Sequence, residues 1–210
     1  MAGKAFDYKK EFKELYKPGT EPVFVEVPPI NYITVAGSGS PQGEEYQKAI
    51  EALYGLSYTI KMSKMSGRQP ADDLEYVVPP LDTFWLIGNS ETDMTDKDNW
   101  RWIAALRQPE FVDEKVFDWA AGEIIRKKTK LDASRTKLVT ITEGSCVQIT
   151  HIGPFAEEHR SMARIDEFIK DSGLIKDLSD QRLHHEIYMG DPRKTAPEKW
   201  CTILRIPVKK

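Results

Sequence analysis

A seven-residue run near the C-terminus brings an acid, a phenol and two histidines together. Residues 183–189 read LHHEIYM, an alternation that predicts a β-strand. Successive strand side chains point to opposite faces, so the run divides into an apolar set and a polar set: Leu183, His185, Ile187 and Met189 against His184, Glu186 and Tyr188. We expect the apolar set to face the helices of the fold. Glu186 and Tyr188 would then point to the concave side of the sheet.

Glu186 is the candidate for chemistry. A carboxyl group at the floor of an aromatic cavity has a raised pKa, because burial disfavours its charged form. It could then act as a general base, or as the counter-ion of a cationic ligand. Alternatively, Glu186 is half exposed and only solvates its strand. We expect no metal at His184, His185 and Glu186, because neighbouring strand residues point apart and no third histidine has ligand spacing.

Aromatic residues form the second signal. The 210-residue sequence contains five tryptophans, eight tyrosines and eight phenylalanines. Many of these rings fall at predicted strands or helix ends: Tyr32, Tyr54, Tyr58, Tyr76, Phe84, Trp85, Trp100, Trp102, Phe155, Tyr188 and Trp200. A wall of such rings would bind flat apolar or cationic molecules by stacking, with little discrimination among them. Each ring could equally well be a residue of the core.

Other chemistry lacks support in the sequence. The run GSGS at residues 37–40 has neither the third glycine nor the lysine of a phosphate-binding loop, so it predicts a turn. The serines have no GxSxG setting, which argues against a serine nucleophile. Cys146 and Cys201 have no CxxC or Cys/His spacing, so we expect no disulfide, no zinc site and a reducing compartment.

Charge and hydropathy exclude further classes. A net charge of −3 provides no positive field for phosphate backbones, so we expect no nucleic-acid partner. No apolar run approaches the ~20 residues that cross a bilayer, and the first residues lead into a charged segment. These features predict a soluble, cytoplasmic protein without a membrane role.

Residues 1–20 are predicted to form an amphipathic arm. Phe6, Phe12, Leu15 and Tyr16 lie on one helical stripe among lysines, and residues 17–19 (KPG) end it. We expect this arm to pack on its own domain; binding at a membrane surface is the alternative.

The remaining sequence alternates between strand and helix patterns. Helices are predicted over residues 44–62, 113–128 and 156–172. In the second helix, Asp113 is the expected N-cap, and the expected buried stripe is Phe117, Ala120, Ala121, Ile124 and Ile125. Strands are predicted within residues 23–36 and over residues 74–78, 83–88, 100–106, 138–141, 146–152, 184–189 and 200–207.

Two passages indicate an internal duplication. Residues 32–37 lead to an acidic helix start at Glu44, and residues 148–153 lead to another at Glu157. We therefore predict an α+β fold of two tandem βαββ (SHS2-like) units. They form an antiparallel sheet with helices on one side and a concave ligand pocket on the other. Residues 21–208 would be a single domain, with pseudo-repeats at about 21–110 and 111–208.

Longer motifs follow in order along nearly the whole chain. They are residues 10–16 (KEFKELY), 25–28 (VEVP), 37–41 (GSGSP), 49–58 (AIEALYGLSY), 80–85 (PLDTFW), 107–112 (RQPEFV), 186–188 (EIY), 191–193 (DPR), 197–198 (PE) and 203–208 (ILRIPV). Together with the duplicated units, they resemble the GyrI-like small-molecule-binding superfamily. The resemblance extends to a stand-alone subgroup that includes the cyclopropanoid cyclohydrolases. Ser40 and Asp82 depart from the subgroup, where an acidic residue and a glutamate are expected.

The resemblance implies roles for particular residues. It places Glu186 in the pocket, since GyrI-like pockets hold a glutamate on this strand, with Tyr188 as a possible donor. It suggests Trp85 and Trp102 as stacking walls. The remaining expected ligand contacts are Tyr54, Tyr58, Phe155 and His151.

The implied activity is hydrolysis without a cofactor. The ligand would be an aromatic or cyclopropanoid small molecule of the yatakemycin and duocarmycin type. Water, assisted by Glu186, would open its cyclopropane ring while Tyr188 or Tyr58 donates to the carbonyl oxygen. The alternative is a non-catalytic multidrug-binding or sensor protein for lipophilic, cationic or aromatic compounds. A third possibility is inhibition of another protein, as for gyrase inhibitors of the superfamily, but no protein partner can be named.

Overall fold

An antiparallel β-sheet carries the fold. The computed structural model describes residues 5–67, 75–86, 100–127 and 130–210. Within these ranges the strands are β1 (Val23–Val27), β2 (Ile30–Ser38), β3 (Leu81–Leu86), β4 (Arg101–Arg107), β5 (Lys137–Ile141), β6 (Gly144–Ile152), β7 (Ile175–Lys176), β8 (His184–Tyr188) and β9 (Cys201–Lys209). The helices are α1 (Tyr8–Glu11), α2 (Lys13–Tyr16), α3 (Glu44–Lys61), α4 (Glu114–Arg126) and α5 (Glu158–Asp171).

The strand order shows two similar units side by side. The order is β1-β6-β9-β8-β3-β4-β2-β5, and β7 pairs with β9 off this path. One unit is β2-α3-β3-β4 and the other is β6-α5-β8-β9; in each, the last strand lies between the first two. β3 and β8 join the units at the centre of the sheet. The predicted α+β, antiparallel fold class is therefore confirmed.

The edge strands are exchanged between the two units. β1 pairs with β6 of the second unit, and β5 pairs with β2 of the first. Only Pro28 and Pro29 separate β1 from β2, and only Thr142 and Glu143 separate β5 from β6. A link of two residues spans at most about 11 Å. The two ends of the sheet are therefore brought close together, and the sheet curls into a half-barrel.

The sheet has two differently covered faces. On the face that we call the helix face, α3 packs over β2 and β4 while α5 packs over β6 and β9. On the other face, which we call the arm face, a single cluster joins residues of seven strands to α1 and α2. Tyr8, Leu15 and Tyr16 are the buried residues of these two short helices. The predicted amphipathic segment is thus packed on the sheet, but it is broken at Phe12 into two turns.

Helix α4 shows where the predicted buried stripe is wrong. Asp113 is the N-cap, and its carboxylate accepts a hydrogen bond from the Val116 amide at 2.9 Å. Ala120 and Ile124 are buried as expected, but Ile125 is 77% exposed. Because α4 packs on α3 and not on the sheet, its buried face is narrower and is rotated toward Glu123.

The remaining differences concern element ends. The predicted strand at residues 74–78 is reduced to an isolated bridge between Tyr76 and Phe6. Residues 1–4 of the arm, residue 74, residues 87–88 of the predicted third strand and residue 128 lie outside the described ranges. None of the helices in the described part of the chain has the length and apolar character required to span a membrane.

Candidate ligand-binding site

A cavity of about 2050 Å³ opens between α3 and α5, above β3 and β8. It is roughly twice the upper end of the ~300–1,000 Å³ range typical of small-molecule sites. One helix of its wall presents side chains at four-residue spacing: Tyr46, Ile50, Tyr54 and Tyr58. The predicted pocket is present, but it lies on the same face as the helices. The two helices pack at opposite ends of the sheet, which leaves the central strands uncovered between them.

The prediction that alternate residues of β8 share a face is confirmed. The prediction of which face each set occupies is corrected. His184, Glu186 and Tyr188 all line the cavity. Ile187, from the apolar set, belongs to the cluster on the arm face. The apolar set was predicted to face the helices, but Ile187 faces the N-terminal arm, and Leu183 and Met189, which flank β8, pack against the same cluster and also line the cavity. The sequence of β8 shows which residues share a face and not which element covers that face.

Glu186 is held by its neighbours on β8. Its side chain is only 13% exposed. The hydroxyl of Tyr188 donates to Oε2 of Glu186 at 2.7 Å, and Nε2 of His184 lies 3.1 Å from Oε1. Both carboxylate oxygens are therefore engaged along the strand, and the carboxylate is fixed at the cavity floor.

One proton lies between His184 and Glu186. Nδ1 of His184 lies 3.2 Å from the carbonyl oxygen of Arg205. A carbonyl oxygen only accepts hydrogen bonds, so Nδ1 carries a hydrogen. Nε2 and the facing carboxylate oxygen then need a proton between them. The two side chains are therefore held together by that hydrogen.

The pKa of Glu186 favours the ionised carboxylate. Burial alone would raise this pKa, but the hydrogen bond and charge of His184 outweigh it, and Tyr188 and Trp85 act in the same direction. The net effect is a lowered pKa. The sequence-based expectation of a raised pKa is therefore wrong, because it considered burial without the donors that β8 itself provides.

Aromatic rings form two groups around this carboxylate. On the α3 side, Trp85 stacks with Tyr46 at a centroid distance of 6.3 Å. On the α5 side, Phe155 contacts Trp200 at 4.6 Å and Tyr188 at 5.7 Å. All five residues line the cavity. A flat ligand between α3 and α5 would therefore meet rings on both sides.

The predicted contacts Tyr54 and Tyr58 lie at the cavity wall. Their rings are stacked at a centroid distance of 6.3 Å, and both residues line the cavity. Tyr58 is 50% exposed, so it belongs to the rim. Burial raises the pKa of Tyr54 to about 12.

Two predicted contacts do not reach the cavity. Trp102 is fully buried in the core beneath α3, where its ring meets Tyr46 edge-on at 4.9 Å. His151 is buried between Ser161 and the carbonyl oxygen of Pro154, at 3.0 and 3.2 Å. The prediction that these two residues contact the ligand is therefore corrected. Trp102 packs behind a wall of the cavity, and His151 stabilises the turn before α5.

The sequence-based reasoning missed Glu158. This residue begins α5, lines the cavity and lies beside the ionised Glu186. Burial, reinforced by the negative charge of Glu186, raises the pKa of Glu158 to about 9. The acidic helix start was visible in the sequence as a repeat signal. Which way the Glu158 side chain points depends on the 3-10 turn Phe155–Glu157 that precedes α5, and the sequence pattern did not predict this turn.

A charged cluster lies behind β8 on the arm face. His185 is fully buried, and its Nδ1 lies 3.0 Å from Oε2 of Glu143. Arg205 donates to Glu143 at 2.8 Å, to Gln148 and to the carbonyl oxygen of Leu15 in the arm. This cluster ties the arm to the strands that carry the site. Among the described residues, no three His, Cys, Asp or Glu side chains are arranged to hold a metal ion.

Comparison with known proteins agrees with this fold. The sequence profile of the GyrI-like small molecule binding domain matches residues 20–209, and the chain belongs to this family. It is therefore a protein with a GyrI-like small-molecule-binding domain. A comparison with curated protein sequences gives no match.

Two solved structures from Listeria innocua are similar over almost the full length. An uncharacterized conserved protein is 48% identical, with a TM-score of 0.93, over 97% of this chain and 100% of the other. A protein described as a hydrolase is 47% identical, with a TM-score of 0.91, over 98% of this chain and 100% of the other.

Proposed function

We propose that this protein is a hydrolase that opens the strained cyclopropane ring of flat, DNA-alkylating molecules of the yatakemycin and duocarmycin type. The observation that carries the proposal is the carboxyl group of Glu186, which Tyr188 and His184 hold at the floor of a cavity walled by aromatic rings. The description of a 47% identical Listeria protein as a hydrolase supports the reaction class. The cyclopropanoid substrate rests on the motif resemblance described above.

In the proposed reaction, Glu186 accepts a proton from a water molecule that attacks the ring CH2 group. The cyclopropane C–C bond breaks, and its electron pair moves through the dienone onto the carbonyl oxygen. Protonation of that oxygen gives a phenol, so the product is the substrate plus one water. General-base assistance of this kind contributes ~10²–10⁴-fold. Relief of ring strain provides additional driving force.

The aromatic walls orient the substrate. Rings on the α3 and α5 sides would stack on a planar fused system and exclude water from most of its surface. Tyr188 already donates its hydroxyl hydrogen to Glu186, so it orients the base and is not free to donate to the substrate. Tyr58, at the rim, is the weaker candidate for that donor because it is half exposed.

The second candidate function is binding without catalysis. A buried carboxylate among aromatic rings also suits a lipophilic cation, and the cavity is large enough for a bulky one. Such a protein would sequester or sense aromatic compounds.

In either case the free Cys146 and Cys201 fit a reducing compartment, and we place the protein in the cytoplasm.

The test uses the purified protein and a duocarmycin-type cyclopropane in H2¹⁸O. We expect wild type to give a product heavier by one labelled water. Glu186→Gln should lose ~10²–10⁴-fold in rate, whereas Glu167→Gln, an exposed residue of α5, should not. Binding without labelled product would favour the non-catalytic function. Unchanged turnover in Glu186→Gln would show that this carboxylate is not the base.

A further inference from the structure

Glu158 contributes an unused polar group to the cavity. Its Oε1 atom is buried and has no hydrogen-bond partner within the described ranges. The Oγ1 atom of Thr202 on β9 also meets no partner at full hydrogen-bond geometry within the described ranges, but it lies close enough to Glu158 to lower the pKa of that carboxyl group. A buried polar atom without a partner is costly, and one that faces a ligand cavity is explained by a group on the ligand.

The groups that face Glu158 determine its charge. From β8 these are the ionised Glu186 and the Tyr188 phenol, and from β9 the uncharged Thr202 hydroxyl. On its own helix, His159 is exposed and bonds the carbonyl oxygen of Ala156. His184 already shares a proton with Glu186. The charge that acts on Glu158 is therefore that of Glu186, and the imidazole of His184 is engaged by that same carboxylate.

Two like charges would be unfavourable in this apolar space. Burial and the charge of Glu186 both disfavour a second carboxylate. The N-terminal end of α5 favours the anion, but by less than about one pKa unit. The cavity therefore holds one ionised and one protonated carboxyl group at neutral pH. Two carboxyl groups with different pKa values suit opposite roles, one as a base and the other as an acid.

We propose that Glu158 is a neutral acid whose O–H donates a hydrogen bond to an acceptor oxygen of the ligand, so that the cavity selects flat aromatic molecules bearing a carbonyl group. This inference rests on the proposed function of the cavity and deepens it by naming a feature of the substrate class. It also provides a carbonyl donor inside the cavity, where Tyr188 is engaged by Glu186 and Tyr58 lies at the rim.

In the ring-opening reaction, this donor would balance the protons. As the cyclopropane C–C bond breaks, Glu158 passes its proton to the oxygen that receives the electron pair. Glu186 has taken one proton from the attacking water. Transfer of that proton from Glu186 back to Glu158 restores both groups, so the net change is the addition of water.

The indole N–H of Trp85 is the competing donor. It is buried and lies close enough to Glu186 to lower the pKa of that carboxyl group, although it meets no acceptor at full hydrogen-bond geometry within the described ranges. Unlike Glu158, it cannot transfer a proton or change its charge with pH. The two donors are therefore distinguished by pH dependence and by substitution.

The experiment compares 9-fluorenone with fluorene, which is the same flat ring system without the carbonyl oxygen. Binding to the full-length protein is followed by tryptophan fluorescence at pH 7 and pH 10. At pH 7 we expect wild type to prefer fluorenone by about three- to tenfold. Glu158→Ala should abolish this preference, and Glu158→Gln should keep part of it because its amide N–H still donates. Glu167→Gln on the same helix should behave as wild type.

At pH 10 the wild-type preference should disappear, since the ionised Glu158 no longer donates. Methylene blue, a planar cation that keeps its charge at both pH values, should instead bind about tenfold more tightly at pH 10 than at pH 7. Glu158→Gln should abolish that gain above pH 9. Circular dichroism melts confirm that each variant is folded.

Four outcomes would overturn the inference. If Glu158→Ala weakens both ring systems equally, the side chain only packs. If Trp85→Phe abolishes the preference and Glu158→Ala does not, the indole is the donor. If wild type binds both rings without preference, Glu158 does not select a carbonyl, although the ligand cavity stands. If wild type binds neither ring nor the cation, the proposed function fails as well.

Discussion

Nε2 of His184 lies 3.1 Å from Oε1 of Glu186, two residues further along the same strand. The opposite ring nitrogen of His184 is fixed by the carbonyl oxygen of Arg205 on β9. The imidazole therefore cannot rotate away from the carboxylate without losing a hydrogen bond. His184 thus acts through Glu186: it determines when that carboxylate is ionised and where it points.

Replacing His184 by asparagine should raise the pKa of Glu186. Burial would then be opposed only by Tyr188 and Trp85. A base with a higher pKa is protonated over a wider acidic range, so the acid limb of the pH–rate profile should move to higher pH by about one unit or more. The profile of ring opening, or a ¹³C NMR titration of labelled glutamate, measures the shift. An unchanged acid limb would show that the two side chains do not share a proton.

Phe155 should contribute to ligand affinity. It is 37% exposed and packs on Trp200 and Tyr188 at the α5 side of the cavity. Phe155→Ala should weaken binding of a flat aromatic probe by about two- to tenfold, the loss expected for an aromatic contact. Phe24, which is 52% exposed and does not line the cavity, provides the matched alanine control. Equal effects of the two substitutions would remove Phe155 from the binding wall.

Gly37 should not tolerate a side chain. A Cβ atom there would lie 2.3 Å from the Trp102 ring and 2.8 Å from the Glu45 carboxylate. Gly37→Ala should lower the free energy of unfolding by about 1–3 kcal/mol, as other overpacked cores do. Gly122→Ala is the control: nothing lies within 4 Å, and the residue is inside α4. That control should gain about 0.5–1 kcal/mol from helix propensity. Urea unfolding measures both, and a neutral Gly37→Ala would contradict the packing.

Glu143 should dominate the acid sensitivity of the fold. Burial raises its pKa, but the charges of His185 and Arg205 outweigh burial and lower it to about 2, from 4.5 in the unfolded chain. This stabilisation is fully present above pH 4.5 and is lost as the pH falls toward 2. Glu143→Gln should cost about 3–5 kcal/mol at pH 7, because it leaves Arg205 buried and unpaired.

The pH dependence separates this effect from a general loss of stability. Glu143→Gln should flatten the decline in unfolding free energy between pH 4.5 and 2, since the glutamine has no proton to take up. Glu198→Gln, at an exposed position, should keep the wild-type slope. Urea unfolding at several pH values provides the comparison. A wild-type slope in Glu143→Gln would assign the acid sensitivity to other carboxylates.

Local patterns were sufficient for much of the fold. The alternation in β8 correctly predicted that His184, Glu186 and Tyr188 share a face, because a strand determines that relation without reference to the rest of the chain. The capping residue Asp113 was also predictable, since its partner is three residues away. The family and the two similar units followed from motifs distributed along the chain.

Relations between distant elements were not predictable in the same way. Trp85 and Trp102 lie opposite each other on β3 and β4, so their strand patterns are equivalent. Only the path of α3 leaves Trp85 at the cavity and places Trp102 beneath Tyr46. The lowered pKa of Glu186 likewise depends on hydrogen-bond geometry, which a count of residue types does not contain.

The exchanged edge strands have a consequence for how the chain can be divided. A polypeptide that ends near residue 110 would carry β1 without β6, and it would present β2 without β5. Each fragment would thus expose an unpaired strand edge that only the other fragment fits. Two such fragments, produced separately, should remain largely unfolded alone and regain structure when mixed. We therefore expect the two halves to depend on each other for folding.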